Sequence, residues 1–396
     1  MHTIPAIKTT SSTEAETTAP PAPRKPRLLL IDGLNVVRRI FEAIPLADGD
    51  TPETESPEHA KERASGAMDS SWASFMRAIR EVDPTHFLAP FDFGGKTWRH
   101  DLYPQYKAQR SPSPAALNDA LPGFFERLNN FGLKTMRVPG VEADDVIGTV
   151  ALKAKARGFE VVVLSTDKDM LWLLHHGIRV RDHFKSEDRD EAYVQAKFGV
   201  PPGAMVDMLS LMGDDTDGIP GIKGIGVQTA AKLIHAYGGL DGALDAVHDE
   251  LMMSGDATAT KTTKGVKNIL KGAVGAKLRA HEAEARLSFL LASLKTDVRL
   301  EISPRDIRLP AVISELLERA KGDAKGDPKT EKKLSWNAQI YAAEVSRKAA
   351  AEKSNAPAEL AGKVFPGREG GIGGLDAAVM GASTAAVAQR RFRMRM

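Results

Sequence analysis

Acidic side chains recur in this sequence at places from which they could hold cations. Asp32 ends the apolar run Leu28-Leu29-Leu30-Ile31, and Asp92 ends the run His86–Asp92. Glu142, Asp144 and Asp145 open a helical pattern just after a third apolar run, and Asp167 and Asp169 follow Val161-Val162-Val163-Leu164. Short apolar runs closed by Asp-Gly or Ser-Thr-Asp read as buried strands, and their alternation with helical patterns predicts βαβ units in a mainly parallel sheet. Loops leaving the carboxyl ends of parallel strands converge on one crevice. These carboxylates therefore meet in a small volume, where their repulsion calls for divalent cations, and all-oxygen donors suit Mg²⁺ or Mn²⁺. Each group also has an ordinary reading. Glu142, Asp144 and Asp145 favour a helix N-terminus through its dipole, Asp32-Gly33 suits a turn, and Asp167 suits a helix cap. Their placement along one sheet edge is what argues for the chemistry.

Two further clusters belong to the same argument. In Gly213-Asp214-Asp215-Thr216-Asp217-Gly218, the acids Asp214 and Asp217 stand three apart and can point the same way from one turn. Directly after it, Gly221-Ile222-Lys223-Gly224-Ile225-Gly226 opens a helix over Val227–Tyr237. That spacing reads as a helix–hairpin–helix loop, whose glycines let a DNA backbone approach while free helix amides grip phosphate. The run follows helical sequence rather than a strand, which argues against a dinucleotide fold. The third cluster is Trp98-Arg99-His100, Tyr103 and Tyr106-Lys107-Ala108-Gln109-Arg110. Cations interleaved with aromatic rings suit single-stranded nucleic acid, the rings stacking on bases and the cations holding phosphates. The competing reading is a solvated basic loop.

The elements that must position these residues follow from the patterning. Strands are expected at Leu28–Asp32, His86–Asp92, Leu133–Val138 and Glu160–Ser165, with Pro90 out of place because proline cannot donate to a sheet ladder. Helices are expected at Val36–Ile44, Met68–Val82, Pro114–Phe131 and Glu142–Arg157, and residues 45–66 read as an acidic loop. From Pro201 onward the signals are helical: Met205–Met212, Val227–Tyr237, Leu240–Val247 and Ala276–Leu294. The expected domains are thus a catalytic α/β unit over 28–204, with an arch at about 94–131, and a helical unit over 205–320. Thr/Ser/Ala/Pro-rich residues 1–27 and Lys/Gly/Ala-rich residues 321–396 are expected to be disordered tails.

Composition narrows the class. The 396 residues are 42% hydrophobic and contain no cysteine, which excludes disulfide scaffolds, thiolate zinc sites, iron–sulfur clusters and cysteine nucleophiles. No stretch approaches 18 uninterrupted apolar residues. With neither a secretory h-region nor a clear transit peptide, a soluble, cytoplasmic and monomeric protein is expected. Net charge is +2 over the chain, but basic tails flank an acidic middle of net charge −6 over residues 28–320. Such a middle makes a poor phosphate-binding surface unless cations sit among its carboxylates.

In this order, the motifs IDGLN (31–35), FD (91–92), WRH (98–100), YKAQR (106–110), VEADD (141–145), STDKDM (165–170) and GDDTDGIPGIKGIG (213–226) resemble the 5′-nuclease (flap endonuclease) family. That family includes the N-terminal domain of bacterial DNA polymerase I and stand-alone bacterial proteins, and the likeness spans about residues 28–300. The resemblance implies a PIN-like α/β fold with a helix–three-turn–helix (5′-3′ exonuclease C-terminal) subdomain and two metal sites. Asp32, Asp92, Glu142, Asp144 and Asp145 match the first site; Asp167, Asp169, Asp214 and Asp217 match the second. Lys107 and Arg110 match the arch residues that neutralise the scissile phosphate. Arg99, Tyr106, Gly221, Lys223, Gly224, Gly226 and Lys232 are expected to contact DNA, and the carbonyls of Ile219, Ile222 and Ile225 to hold K⁺. The implied activity is two-metal hydrolysis of DNA phosphodiesters at a 5′ flap or single-strand/duplex junction, in replication or repair. A catalytically weak, structure-specific DNA-binding protein and a PIN-type ribonuclease are the competing readings; the loop at 221–226 weighs against the ribonuclease. An aspartyl-phosphate phosphatase would want a second Asp where Leu34 stands. Gly218 in place of the usual Asn and Gln109 in place of the usual Gly depart from the family pattern.

Overall fold

The computed structural model describes residues 25–253, 269–270, 272–323, 336, 339–340 and 342–347. Almost all of the expected N-terminal tail and most of the C-terminal one lie outside the described residues. A six-stranded sheet organises the first half: β1 (Arg27–Ile31), β2 (His86–Pro90), β3 (Thr135–Met136), β4 (Glu160–Leu164), β5 (Arg179–Asp182) and β6 (Glu187–Arg189). They lie in the order β3-β2-β1-β4-β5-β6. Every neighbouring pair is parallel except the β5–β6 hairpin. The helices are α1 (Gly33–Ala43), α2 (Pro57–Val82), α3 (Trp98–Leu102), α4 (Ala115–Asn130), α5 (Ala143–Ala156) and α6 (Glu191–Phe198), then α7 (Met205–Met212), α8 (Val227–Tyr237), α9 (Leu240–Met253), α10 (Ala273–Ala280), α11 (Glu282–Ala292) and α12 (Ala311–Asp323). None of the helices among the described residues is long and apolar enough to cross a membrane.

The β1 run is apolar because both faces of the sheet are covered. Leu29 and Ile31 pack with α1, α2, α4 and α12 on one side, whereas Leu28 and Leu30 pack with α5 and the 3₁₀ segment Asp169–His176 on the other. Each fully buried Leu or Ile contributes roughly 1.5–3 kcal/mol, so a slip of register that exposed this strand is strongly disfavoured. The register places Ile31 beside Leu164, and the chain leaves both strands at the same edge, with Asp32 donating its backbone N–H to Leu164 O. Pro90 fits because the amides on either side of it, Ala89 and Phe91, donate toward β3, while pairing with β1 stops at Leu88. The missing N–H thus faces the side on which the ladder has already ended.

Several elements differ from expectation. Order reaches back to Arg27, which belongs to β1. Helix α2 begins at Pro57, well inside the stretch read as loop, because the Ser56 hydroxyl caps it by accepting from His59 N and Pro57 occupies its first turn. The strand at Leu133–Val138 shortens to two residues, and the β5–β6 hairpin has too little apolar alternation to be visible in sequence. One expected helix over Ala276–Leu294 is two, broken at His281. Past residue 320 the chain is not all tail: α12 runs to Asp323, Trp336 and Ile340 join the α2/α4 core, and Glu344 pairs with Arg127 at 2.8 Å. Helix α4, expected in an arch, lies on α2 with Leu117, Phe124 and Leu128 buried.

Helices α6–α11 share a second core, built on Val194, Met208, Ile222, Leu233, Leu244 and Leu278. Between the two cores, Tyr106, Leu209, Ile219 and Leu291 pack together and bring the 213–226 loop beside the sheet edge.

Candidate active site at the carboxyl edge of the sheet

Three acids are set by main-chain and hydroxyl contacts. Asp32 caps α1, accepting from Asn35 N at 3.2 Å and from the Ser165 hydroxyl at 2.9 Å. Asp92 accepts from Ala143 N at 2.8 Å, which ties the end of β2 to the start of α5. Asp167 accepts from Asp169 N at 3.0 Å while donating its own amide to Ser165 Oγ at 3.1 Å. Asn35 accepts from the Thr166 hydroxyl at 3.0 Å and so joins the loops after β1 and β4. Neither Ser165 nor Asn35 was singled out from sequence, although both lie within the motifs.

Three other acids are held by cations. Glu142 Oε1 takes Lys107 Nζ at 2.8 Å. Asp217 takes Arg110 on one oxygen and Lys107 at 3.6 Å on the other. Asp214 takes Lys168 at 2.7 Å. Lys107 sits at φ +56°, its backbone N–H donating to Asp217 O at 2.8 Å, so the turn carrying the lysine is tied to the turn carrying the acid.

Burial and crowding leave their mark on the acids. Asp32 is pushed up to about 7, first by burial and then by the charge of Asp92. Asp144 is raised well above the usual carboxylate range by burial, then by Asp32 and Asp167. Asp169 is raised likewise by burial, then by Asp167, Asp217 and Asp214. Two lobes of negative charge thus share Asp167, one reaching Asp32 and Asp144, the other Asp169, Asp214 and Asp217.

Asp145 departs from expectation. It is fully buried, and both oxygens are saturated by Trp98 Nε1, Arg99, Lys295 N and Glu142 N. It closes the start of α5 rather than facing the cleft. Arg99, expected on DNA, is equally committed: its guanidinium meets Asp145 on both oxygens, Glu142 at 3.0 Å, and the carbonyls of Leu291 and Ser293. Tyr106 is 2% exposed, its hydroxyl donating to Glu142 at 3.1 Å, and cannot stack on a base. Within the basic-aromatic segment Arg99 and Tyr106 are therefore internal, buried against α11 and the start of α5, while Gln109 and Arg110 stay exposed.

In the 213–226 loop, Gly221 has a packing role rather than the expected DNA contact. At φ +56° it lies so close to α7 that a Cβ would stand 2.2 Å from Gly213 N. Gly224, at φ +78°, faces Lys277, whose ammonium meets Gly224 O at 3.1 Å. Gly226 is open and precedes α8, and Lys223 and Lys232 are exposed. The carbonyls of Ile219 and Ile222 already accept from Asp214 N and Ile225 N, leaving each one free lone pair.

The donor set suits a hard divalent cation. Asp169 Oδ1 is buried with no hydrogen-bond partner, an arrangement that costs free energy unless something positive satisfies it. As the side chains stand, no three His, Asp or Glu among the described residues close around a single point. Lys107, Arg110 and Lys168 instead supply the neutralising charge.

With this geometry in place, the chain can be assigned to a class. It belongs to the 5′-3′ exonuclease family, matching the N-terminal resolvase-like domain over residues 27–199 and the C-terminal SAM fold over residues 200–315. Among individual relatives, the flap endonuclease Xni of Cronobacter sakazakii is 34% identical over 284 residues, which is 71% of this chain and 98% of that protein. DNA polymerase I of Rhizobium leguminosarum is 36% identical over 293 residues, 73% of this chain but only 26% of the polymerase. The T5 5′-exonuclease, solved with zinc ions bound, shares the fold at 19% identity, with a TM-score of 0.50 over 68% of this chain and 90% of its own.

Proposed function

We propose that this chain is a metal-dependent 5′ flap endonuclease and 5′-3′ exonuclease that hydrolyses DNA phosphodiesters at single-strand/duplex junctions in replication or repair. The observation that carries the reading is the crowding of carboxylates at one sheet edge, raised first by burial and then by one another, with the orphaned Asp169 Oδ1 among them and Lys107 and Arg110 at its mouth.

Asp32, Asp92, Glu142 and Asp144 would hold one divalent ion, and Asp167, Asp169, Asp214 and Asp217 a second. Bound there, the ions supply a water of lowered pKa and charge neutralisation at the leaving oxygen. The remaining roles belong to the chain's own side chains. Lys107 and Arg110, released from Glu142 and Asp217, turn to the non-bridging oxygens of the scissile phosphate and neutralise charge there. Asn35, Ser165 and Thr166 fix the loops that present Asp32 and Asp167. Arg99 and Asp145 lock α3 to α5, so the turn that carries Lys107 keeps its place over the cleft.

Duplex holding falls to Lys223, Lys232, the open Gly226 and the α8 N-terminus, where free amides favour phosphate. The remaining lone pairs of the Ile219, Ile222 and Ile225 carbonyls are the donors for K⁺. The test is a substrate panel: a 5′ flap, a nicked duplex, a single strand and an RNA-containing flap, each with and without Mg²⁺. Mg²⁺-dependent cutting of the DNA flap at the junction is the expected result. Binding without cutting would leave a DNA-binding module, and preference for the RNA strand a ribonuclease.

A further inference from the structure

On the α1/α2 side of the sheet, around the β5–β6 turn, lies a surface cleft of about 530 Å³ to which none of the roles above assigns a ligand. Ser70, Ser74, Arg77 and Arg80 line it from one face of α2, with Phe184 and Trp336 as walls. The spacing explains the face: residues three or four apart on a helix are neighbours. No Asp or Glu lines the cleft.

The charge of Arg80 meets no carboxylate among the described residues, and that of Arg77 is only partly offset. Arg80 lies 6.0 Å from the Trp336 ring. Arg77 donates to His183 Nε2 at 2.9 Å, and that imidazole is pushed down to about 4 by burial and by Arg77 itself. Its partner is thus neutral at neutral pH. Arg77 Nε is buried with no hydrogen-bond acceptor; the Glu81 carboxylate stands 4.0 Å away and is shared with Arg181 at 3.5 Å. Phe184 is 38% exposed, and Arg39 stacks over it at 5.2 Å. Arg39 also donates to the Thr166 hydroxyl at 2.7 Å, one residue before Asp167. A track of guanidinium groups and an exposed ring therefore runs from this cleft to the carboxylate site.

The Ser74 hydroxyl is taken up by His183 Nε2 at 2.6 Å, which leaves the exposed Ser70 hydroxyl free. Guanidinium groups, that hydroxyl and an exposed aromatic face together suit single-stranded nucleic acid better than a rigid duplex, because an unpaired base can stack while its phosphates meet arginine. We propose that the cleft between α2 and the β5–β6 turn holds a single-stranded DNA segment, with Arg77 and Arg80 on successive phosphates and a base against Phe184. This rests on the nuclease reading and adds to it a second strand-binding surface, on other elements than Lys223 and Lys232.

The test uses the full chain with Mg²⁺ omitted and a fluorescent oligothymidine of about eight nucleotides, within the range of single-strand site sizes. Affinity is measured across a salt series for the wild type, R80Q, R80K and the double variant R77Q/R80Q, with melting curves confirming that each is folded. Each lost phosphate contact on a single strand lowers the log–log salt slope by about 0.7. The slope should therefore fall by about 0.7 in R80Q and about 1.4 in the double variant, and stay near wild type in R80K. An iodouridine-substituted strand should crosslink to Phe184 or its neighbours. Unchanged slopes, crosslinks confined to the carboxylate cleft, or displacement by polyglutamate as readily as by oligothymidine would each overturn the proposal. Wild-type flap cleavage, measured on the same preparation, separates that failure from failure of the nuclease reading itself. Should R77Q/R80Q not fold, R80Q alone decides the matter.

Discussion

One short stretch of sequence, residues 98–110, builds two clusters of opposite charges with opposite character. Around Arg99 the guanidinium and both Asp145 oxygens are buried, and the Trp98 indole and the Lys295 amide complete the carboxylate's partners. Around Lys107 and Arg110 the same kinds of groups meet Glu142 and Asp217 at a half-open mouth, with each cation on a long, movable stem. Burying a charge is tolerated only when its partners are complete, and completing them removes the freedom to meet a substrate. Cations that neutralise carboxylates from a solvent-facing position keep that freedom. The difference separates a structural arginine from two catalytic candidates that look alike in the sequence.

The largest effect should come from the sealed cluster. Arg99→Ala leaves Asp145 buried without its main partner, and breaking a buried pair in this way costs about 3–5 kcal/mol. Chemical denaturation should report that loss, and a variant within 0.5 kcal/mol of wild type (about the scatter for a surface change) would dissolve the distinction. Lys107→Ala should instead fold with near-wild-type stability while single-turnover cleavage slows by ~10²–10³-fold, with substrate affinity little changed. A matching loss of affinity with an unchanged single-turnover rate would make Lys107 a general electrostatic contact.

The open cluster also predicts how stability follows pH when metal is removed. Asp32 in the folded chain is raised from 3.8 to about 7, and Asp144 and Asp169 are raised as well. A carboxyl raised on folding contributes stability that is fully present below its unfolded value and is lost as pH climbs through its folded value. His86, His176 and His183 are lowered by burial and add stability as pH rises toward 6.5. In EDTA the melting temperature should therefore fall from pH 6.5 to pH 8, above their range, and added Mg²⁺ should flatten that fall. Asp182 and Asp188, whose values are lowered by hydrogen bonds and neighbouring arginines, lose their contribution only below about 3.8 and do not oppose the trend within this window. A melting temperature that rises over the same interval in EDTA would contradict the raised carboxylates. The smallest effect is expected at the 213–226 loop. Exchanging K⁺ for Na⁺ should weaken duplex binding only a few-fold, since Lys277 already places a positive charge on Gly224 O. An equal affinity in both salts would remove Ile219, Ile222 and Ile225 as cation donors.

How much of this was legible beforehand follows from what sequence patterns encode. Acids directly after buried strands declare themselves, because a strand's end fixes where the next residue goes; Asp32, Asp92 and Asp167 are of this kind. Arg99, Tyr106 and Asp145 misled for the converse reason. A five-residue helix such as α3 has no period from which to tell its buried side, so a satisfied internal arginine and a phosphate-binding one read identically. The acidic stretch before Met68 hid the start of α2, whose signal was the single cap Ser56-Pro57. The packing of Trp336 and Ile340 was masked by a Lys/Gly/Ala-rich background, although an isolated Trp there was the available clue.

The central claim is that the clustered carboxylates hold the divalent ions that make this chain a nuclease. Its most direct test is cleavage of a 5′-labelled flap over a Mg²⁺ titration by wild type and Asp144→Ala, with DNA affinity measured in parallel. The account predicts that Asp144→Ala binds the flap at least as well as wild type, because one anion near phosphate is gone, and does not cut it at any Mg²⁺ concentration. Wild-type rates restored to Asp144→Ala at saturating Mg²⁺ would contradict it.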